Sequence, residues 1–600
     1  MMRSISATQL INALPFLRSA PYTVHSLPAG TPVFTEGVDC GKIGFVQRGI
    51  VRVFKMSETG REITLYRIEA GESCILSMSC ALSNPIHQAS AVVEEDAELL
   101  TLTTHDFQHL VEKSHEARNY LFSQFATRLT DVMLLVEEIV FKRMDERLAA
   151  LLADPKRDVD EYISIASEEK LQITHIAETH IHADFLTGSR ELARQTGAEL
   201  YLSNEGGPDW QYSAPHIGLR DGSSFMVGNV KIDVWHTPGH TPEHISFLIT
   251  DTKNSTVPVM MATGDFVFVG DVGRPDLLER AAGYVGTMER GARQMYQSLQ
   301  RFKTLPDFVQ ILPGHGAGSA CGKSLGAVPF STVGYEKITN WALNITNEND
   351  FVQEILRGQP EAPTYFAMMK KLNTSERTVL KTIPQPRKYT LAELKMAMRD
   401  GAVIVDTRGK MSFAGGHIPG SLNIQDNNSF STWAGWMLSY TQPIVLIAPD
   451  SRVEHLVRSL IRIGLDTVIG YVSDIEQWAY QGNSTETLEQ INVQDLHQTL
   501  LISNAELLDV RGISEVEQGC IGGAKHIHAG HLPKLAQTLD KQRTYIVYCA
   551  GGDCSSLASS YLLQQDFKHV VNVIGGFNAW KEARLPIAEA LAAEELEEMA

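Results

Sequence analysis

The chain has 600 residues, a formal net charge of −19, and 43% apolar against 20% charged residues. This length favours about four domains, and the acidic balance argues against nucleic acid or an anionic membrane as a partner. No apolar run reaches the ~20 residues of a membrane span, and residues 1–20 lack a secretory signal pattern. Seven cysteines in so long a chain do not make a disulfide scaffold. We therefore expect a cytoplasmic protein whose thiols act individually.

Short strand patterns separated by turn signals predict an all-β domain with flanking helices over residues 1–112. This segment resembles the sensor domain of cyclic-nucleotide-binding bacterial transcription regulators, in which a Gly-Glu segment cradles the cyclic phosphate and a later arginine neutralises it. Here Gly71-Glu72 is followed by His87-Gln88-Ala89 without the arginine. Its absence disfavours cyclic-nucleotide binding, because a buried phosphate needs a guanidinium partner. Three cysteines of this domain act either as a thiol sensor or as small buried apolar residues: Cys40, Cys74 and Cys80.

Apolar residues recur at steps of three or four between Leu121 and Leu151, which predicts a long helix over residues 113–153. The seam suits a dimer helix like that of the same regulator family, or a helix packed on its own domain. We expect a homodimer or a larger assembly. A metal-ligand segment follows in place of a helix-turn-helix, so DNA binding is not supported.

Four segments between residues 154 and 372 carry metal-ligand side chains. In the first, His180, His182 and Asp184 follow a strand-like run at alternate positions, so an extended backbone would point all three to one side. The other segments each place one ligand at a strand end: His240, Asp265 and His315. Histidines and carboxylates clustered at strand ends are what a metal site requires. The ordered set resembles the metallo-β-lactamase fold, an αββα sandwich with metal at one edge.

Within that superfamily, residues 154–375 resemble persulfide dioxygenase. The resemblance rests on a helical tail that ends near Asn373 and on three motifs, Glu178–Asp184, Gly270–Leu277 and Gly314–Lys323. It implies one Fe(II) per chain, held by His180, His240 and Asp265. Two imidazoles and one carboxylate leave open positions for O2 and a substrate sulfur.

Phe185 distinguishes this chain from two-metal hydrolases of the superfamily, which have histidine there. Phenylalanine cannot ligate a metal, which disfavours a dinuclear zinc hydrolase. His182, Asp184 and His315 are then candidates for orienting the ligands or bound water, with direct ligation by His182 as the alternative. Two basic residues are either anchors for the anionic part of a thiol persulfide or members of ordinary ion pairs: Arg274 and Lys323.

One departure from that family concerns the start of the metal domain. Members begin with two or three strands before the segment that matches Asp154–Asp160, and no substitute strands are predicted here. The sandwich would therefore lack an edge, or it would borrow cover from the sensor domain.

Residues 388–484 and 490–588 are predicted to form two α/β repeats, called here the first and the second repeat. Asp406-Thr407-Arg408 in the first is echoed by Asp509-Val510-Arg511 in the second, and the central strand patterns 443–447 and 545–548 correspond. Strands that alternate with helical patterns predict parallel sheets. Both repeats resemble rhodanese, the sulfurtransferase fold.

The second repeat keeps the rhodanese nucleophile, Cys549, directly after its central strand. The resemblance implies a loop whose amides lower the thiol pKa and stabilise a bound persulfide, formed here by Gly551, Gly552, Asp553, Cys554 and Ser555. Cys554 stands where arginine is frequent, so a cation is lost and a thiol is gained that could pair with Cys549 or pass sulfur onward. The first repeat has Ala448 at the nucleophile position and is predicted to be structural.

These features predict an enzyme of sulfur metabolism. Its metal domain would oxidise a low-molecular-weight thiol persulfide, such as glutathione persulfide, to sulfite with O2. Cys549 would exchange sulfane sulfur with sulfite or thiosulfate, in a direction that the sequence leaves open. Two other hypotheses are a zinc-dependent thioester hydrolase with idle rhodanese repeats, and a redox-sensing dimeric scaffold whose sensor cysteines report persulfide.

Overall fold

The structure is a computed structural model that divides into two compact units, Met1–Arg147 and Leu148–Ala600. It describes residues 15–35, 37–38, 41–56, 62–68, 70–82, 87, 89–115, 117–118, 120–121, 153–282, 286–316, 328–473, 475–502 and 504–588. Among these residues, no helix combines the length and the apolar character that crossing a bilayer requires.

The first unit contains an antiparallel sheet of five strands: β1 Thr23–Leu27, β2 Pro32–Phe34, β3 Lys42–Met56, β4 Glu62–Ile68 and β5 Ser90–Thr103. The strands lie in the order β1-β5-β3-β4, and β2 also pairs with β5. Two helices pack on this sheet: α1 Ile75–Leu82 and α2 Thr104–Lys113. The Thr103 side chain accepts a hydrogen bond from the backbone of Asp106 and so caps α2. The predicted all-β domain with flanking helices is confirmed.

Two of the three cysteines of this first unit lie in apolar surroundings. Cys74 and Cys80 are buried in different hydrophobic clusters, as small apolar residues would be. Cys40 lies outside the described residues, and so does most of the predicted dimer helix, residues 122–152. Residues of this sheet border a cavity of about 410 Å³. The described lining of the cavity includes His87 but no arginine.

The metal domain holds two facing sheets. The larger has the order β14-β13-β12-β11-β10-β9, and the smaller has the order β6-β7-β8. The strands are β6 His175–Ala177, β7 Glu199–Ser203, β8 Ile217–Leu219, β9 Ser224–Val227, β10 Val230–His236, β11 Ile245–Asp251, β12 Met260–Gly264, β13 Gln310–Pro313 and β14 Ser331–Thr332. An apolar cluster that includes Tyr201 and Phe247 lies between the sheets.

Helices cover both outer faces of this sandwich. On the smaller sheet lie α3 Asp160–Glu168 and α4 Ser189–Thr196, with Leu192 buried against Ile176. Six helices follow in chain order: α5 Leu277–Ala282, α6 Thr287–Phe302, α7 Val333–Thr339, α8 Trp341–Asn344, α9 Glu348–Leu356 and α10 Phe366–Thr374. The apolar face of α6 packs Met295 and Leu299 against the larger sheet. The predicted αββα sandwich is confirmed.

The first repeat covers the start of the metal domain. Arg157, whose side chain is 1% exposed, donates to Glu191 within the metal domain and to Asp466 of the first repeat. Arg462 of the first repeat donates to Asp158. Ala153 also forms a parallel bridge to the end of β6. The cover observed at the Asp154–Asp160 segment therefore comes from the first repeat.

The two repeats have matching parallel sheets, β15-β19-β18-β16-β17 and β20-β24-β23-β21-β22. The strands are β15 Arg387–Lys388, β16 Val403–Asp406, β17 Leu422–Asn423, β18 Ile444–Ile447, β19 Val468–Val472, β20 Glu489–Ile491, β21 Glu506–Asp509, β22 Lys525–His526, β23 Thr544–Tyr548 and β24 His569–Val573. The helices are α11 Leu391–Arg399, α12 Lys410–Gly415, α13 Phe430–Met437, α14 Val453–Ile461, α15 Glu476–Tyr480, α16 Val493–Ile502, α17 Ile513–Val516, α18 Leu532–Leu535, α19 Asp553–Gln564 and α20 Gly576–Glu582. The predicted internal repeat is confirmed.

Candidate metal centre and thiol loop

His180, His240 and Asp265 meet at one end of the sandwich, where each follows the end of a strand. One ligand atom of each lies within 4.8 Å of the others. The Nε2 atoms of His180 and His240 lie 3.8 Å and 3.5 Å from Oδ2 of Asp265. All three side chains are buried, so the two-histidine, one-carboxylate cluster lies inside the sandwich.

The donor set fits a divalent metal. His180 Nε2 is buried without a hydrogen-bond partner in the described part of the chain, which is costly unless a cation takes its lone pair. Burial lowers the pKa of His180 well below its ordinary value, and it also lowers the pKa of His240. Both imidazoles are therefore neutral near pH 7, the form that binds metal.

Polar groups behind the two histidines fix their orientation. Thr179 Oγ1 donates to Asp154 Oδ2 over 2.7 Å and lies 2.9 Å from His180 Nδ1, from which it accepts. His240 Nδ1 donates to the carbonyl of Arg274 over 3.0 Å. Both Nδ1 atoms thus carry the ring proton, and both Nε2 lone pairs face Asp265.

His182 lies beside this cluster but is directed elsewhere. Its Nε2 is 3.0 Å from Asp154 Oδ1, and its ring lies 4.3 Å from the ring of Phe185, centroid to centroid. Burial by itself lowers the pKa of His182, but the carboxylates of Asp154 and Asp184 outweigh it and raise the pKa to about 9. The imidazole is therefore held as a cation next to Asp154.

His315 and Asp184 line the other side of Asp265. His315 Nε2 lies 3.3 Å from Asp184 Oδ2 and 3.4 Å from Asp265 Oδ2. Both are partly exposed, at 17% and 20% of their side-chain surface. They can orient a bound water or contribute to a second metal position that shares Asp265.

Arg274, one of the two predicted substrate anchors, is fully buried. Its guanidinium donates twice to Asp276 and once to the carbonyl of Pro360. A buried and satisfied guanidinium holds the loop that positions His240, and its burial keeps it out of reach of a substrate. The other predicted anchor, Lys323, lies outside the described residues.

The sequence reasoning missed two features next to the cluster. His244 is buried, and its Nε2 accepts from the backbone N–H of Asp265 over 3.1 Å; the only signal is its spacing of four residues from His240. A cavity of about 200 Å³ opens beside His240, lined also by Arg290 and Lys370. Lys370 lies over the ring of Trp210, 3.8 Å from its centroid.

Cys549 lies in the loop between β23 and α19. It is 2% exposed, and its Sγ accepts from the backbone N–H of Gly552 over 3.1 Å. A hydrogen bond from the Cys554 thiol, aided by the Ser555 hydroxyl and loop amides, outweighs burial and lowers the pKa of Cys549 to about 6. The same contact raises the pKa of Cys554. Both cysteines are free thiols, so Cys549 is a stabilised thiolate at neutral pH.

The corresponding loop of the first repeat carries no nucleophile. Ala448 follows β18 and is buried in the apolar core. Asp450 of this loop pairs with Lys388, with Nζ 3.0 Å from either carboxylate oxygen. The first repeat therefore cannot carry sulfur at this position.

Comparisons with known proteins agree with this architecture. Three family models match: the cyclic nucleotide-binding domain over residues 24–114, the metallo-beta-lactamase superfamily over 144–315, and the rhodanese-like domain over 390–481 and again over 492–583. The domains therefore follow in the order that the sequence predicts.

Individual relatives resemble separate parts of the chain. The crystal structure of a metallo-beta-lactamase from Staphylococcus aureus is 44% identical, with a TM-score of 0.50, and the match covers 53% of this chain and 90% of that one. The hydroxyacylglutathione hydrolase GloC of Haemophilus influenzae is 27% identical over 33% of this chain and 89% of its own. The proposed sulfurtransferase YtwF of Bacillus subtilis is 42% identical over 13% of this chain and 77% of its own. This chain belongs to the metallo-β-lactamase superfamily and joins that metal-binding fold to a cyclic nucleotide-binding domain and two rhodanese-like domains.

Proposed function

We propose that this protein is a persulfide dioxygenase joined to a sulfurtransferase. The observation that carries the proposal is a two-histidine, one-carboxylate cluster, the one such group found among the described residues. Beside it, Phe185 and the ion-paired His182 stand where a second set of ligands would be needed. Two imidazoles and one carboxylate on one face are typical of non-haem Fe(II) oxygenases. The presence of a sulfur-transfer thiolate on the same chain supports a sulfur substrate.

His180, His240 and Asp265 would hold one Fe(II) per chain. When bound, the iron would supply the binding and activation of O2 and of the terminal sulfur of the substrate. The overall reaction takes one thiol persulfide, one O2 and one water to the free thiol, sulfite and two protons. Thr179 and the Arg274 carbonyl keep the two imidazoles in place. The burial of the cluster keeps bulk water away from the reacting sulfur.

The cavity beside His240 suits the carrier part of such a substrate. The two positive side chains of its lining, Arg290 and Lys370, outnumber the carboxylate of Asp209. Trp210 gives the cavity an apolar wall. Glutathione persulfide carries two carboxylates, which these cations would attract. With the carrier bound in this cavity, the terminal sulfur of the persulfide would lie next to His240.

Cys549 would exchange sulfur with the sulfite that the metal domain makes. In one direction the Cys549 thiolate attacks the outer sulfur of thiosulfate, the S–S bond breaks, and sulfite leaves with the electron pair. The reverse step transfers the sulfane sulfur from the Cys549 persulfide to sulfite and regenerates the thiolate. The amide of Gly552 would stabilise the anionic sulfur in both directions.

Two substitutions test the assignment of the two activities. His240→Ala should abolish oxygen uptake on glutathione persulfide and leave thiosulfate-to-cyanide sulfur transfer intact, because the two sites use different residues. Cys549→Ser should abolish the transfer and leave the oxygen uptake. Oxygen uptake that survives the loss of His240 would contradict the iron assignment.

The second candidate function is a zinc-dependent thioester hydrolase. It is favoured by the name of the Haemophilus relative and by His315 and Asp184, which lie close enough to Asp265 to contribute to a second metal position. Two zinc ions per chain, with hydrolysis of a glutathione thioester and no oxygen uptake, would select it.

A further inference from the structure

A lysine of the first repeat contacts the loop of the second repeat that holds Cys549. Lys410 begins α12, yet its ammonium donates to the carbonyl of Gly551 over 2.6 Å and to Asp553 Oδ1 over 2.7 Å. A side-chain carbon on Gly552 would lie 3.3 Å from the same Nζ. The ammonium therefore lies against three consecutive residues of the loop that holds Cys549.

Buried hydrogen bonds between the two repeats support the contact around this lysine. Asn423 of the first repeat accepts from the hydroxyl of Ser556 over 2.7 Å, and its backbone N–H donates to Ser560 over 3.0 Å. All three residues are buried, and both serines belong to α19, the helix that begins at Asp553 in the loop that holds Cys549. These bonds fix the distance between Lys410 and the loop.

The charge of Lys410 matters because a carboxylate, that of Asp553, stands on this loop beside it. Asp553 is about half exposed there, and Cys554 occupies the place where an arginine is frequent in rhodaneses. A sulfur donor such as thiosulfate carries two negative charges, which an unpaired Asp553 would repel. Lys410, at 30% exposure, cancels that charge and remains accessible from solvent.

We propose that Lys410 is a positioning residue, contributed by the first repeat. It completes the site at which a sulfur oxyanion such as thiosulfate reaches Cys549. Its bond to the Gly551 carbonyl holds the loop so that the next amide, that of Gly552, faces the sulfur. Its charge favours binding of the dianion from which the Cys549 thiolate takes the outer sulfur as sulfite leaves. The first repeat, which has no nucleophile of its own, thereby completes the site of its neighbour.

This inference rests on the proposed sulfur transfer at Cys549, and its test uses the full chain with thiosulfate as donor and cyanide as acceptor. Lys410→Met should raise the KM for thiosulfate about tenfold, as loss of a charge-assisted contact does, with a smaller change in kcat. Alkylation of Cys549 by neutral iodoacetamide should shift to higher pH in the same variant. Lys410→Arg should restore most of the thiosulfate affinity.

The matched control is Lys388→Met, since Lys388 forms the corresponding pair with Asp450 on the loop of the first repeat. It should leave the KM for thiosulfate unchanged. If Lys410→Met does not fold, Lys410→Gln replaces it in the same KM measurement, because glutamine keeps a hydrogen-bonding side chain without the charge. The circular dichroism spectrum and the denaturant midpoint of the full chain report that each variant is folded.

Two results overturn the proposal. One is a KM for thiosulfate within about twofold of wild type in a folded Lys410 variant that lacks the charge, because loss of the proposed contact predicts more. The other is an equal rise in the Lys388 control. A wild-type chain that transfers no sulfur would remove the proposed function itself, whereas an active wild type with an unaffected Lys410 variant removes this proposal alone.

Discussion

The imidazole of His182 faces the carboxylate of Asp154, with Nε2 3.0 Å from Oδ1. Asp154 also accepts from the backbone N–H and the hydroxyl of Thr179. One carboxylate therefore holds His182 beside the cluster and supports His180 through Thr179. This arrangement favours one metal per chain, and it makes the residues around Asp154 the first place to test.

Phe185→His should create a second metal position. The new imidazole would lie beside His182 and near Asp184, which together with His315 and Asp265 offers enough donors for another ion. The metal content of purified protein, measured by plasma mass spectrometry, should rise from one toward two per chain. Phe185→Leu, which adds no donor, should stay at one. Equal metal content in the two variants would show that position 185 does not set the stoichiometry.

Thr179→Val should weaken metal binding. The substitution keeps the shape of the side chain but removes the hydroxyl that joins Asp154 to His180. Loss of a hydrogen bond that orients a ligand typically costs about 10- to 100-fold in metal affinity. Competition with a chelator measures this cost. Thr187→Val is the control, because Thr187 is a buried threonine that donates to Glu178 instead; a similar loss in both variants would point to general destabilisation.

The reactivity of Cys549 should rise with pH around its pKa of about 6. The thiolate is the reactive form, so alkylation by iodoacetamide should be half-maximal near pH 6 and should level off above neutrality. Cys554→Ala should move this midpoint to higher pH, because the Cys554 thiol is the largest cause that lowers the pKa of Cys549. Peptide mass spectrometry of Cys549 follows both reactions.

Cys520 provides the control for that pH profile. It is a partly exposed free thiol in the same repeat, where burial raises its pKa. Cys520→Ala should leave the Cys549 midpoint in place. A midpoint near the ordinary thiol value in the wild-type chain would contradict the loop geometry described above.

Arg157→Met should destabilise the contact between the metal domain and the first repeat. The substitution leaves Asp466 without its guanidinium and leaves Glu191, which is 1% exposed, with Arg377 as its remaining guanidinium partner. Removing one member of a buried ion pair costs about 3 kcal/mol, and denaturant titration of the full chain measures it. Arg357→Met, which removes a solvent-exposed guanidinium paired with Glu354, should cost about 1 kcal/mol or less. Equal losses would contradict the role assigned to burial.

The sequence was sufficient to predict the order of the domains and the gathering of His180, His240 and Asp265. Each follows the end of a strand, β6 in the smaller sheet and β10 and β12 in the larger one, and the resemblance to persulfide dioxygenase supplied the choice of these three as one ligand set. The sequence did not predict that Arg274 is buried, because the pairing with Asp276 depends on how the loop folds under Pro360. It also did not predict that Lys410 reaches Gly551, 141 residues away. Contacts of that kind depend on how whole domains dock, which local patterns do not encode.

The central claim is that one ferrous ion per chain oxidises a thiol persulfide, and the most direct test measures metal content together with oxygen uptake on the same preparation. The account predicts about one iron per chain, by analogy with the oxygenase site of this ligand type. It further predicts oxygen uptake on glutathione persulfide in proportion to that iron, with one O2 consumed for each sulfite formed. Protein that binds two zinc ions, hydrolyses a glutathione thioester and consumes no oxygen would contradict it.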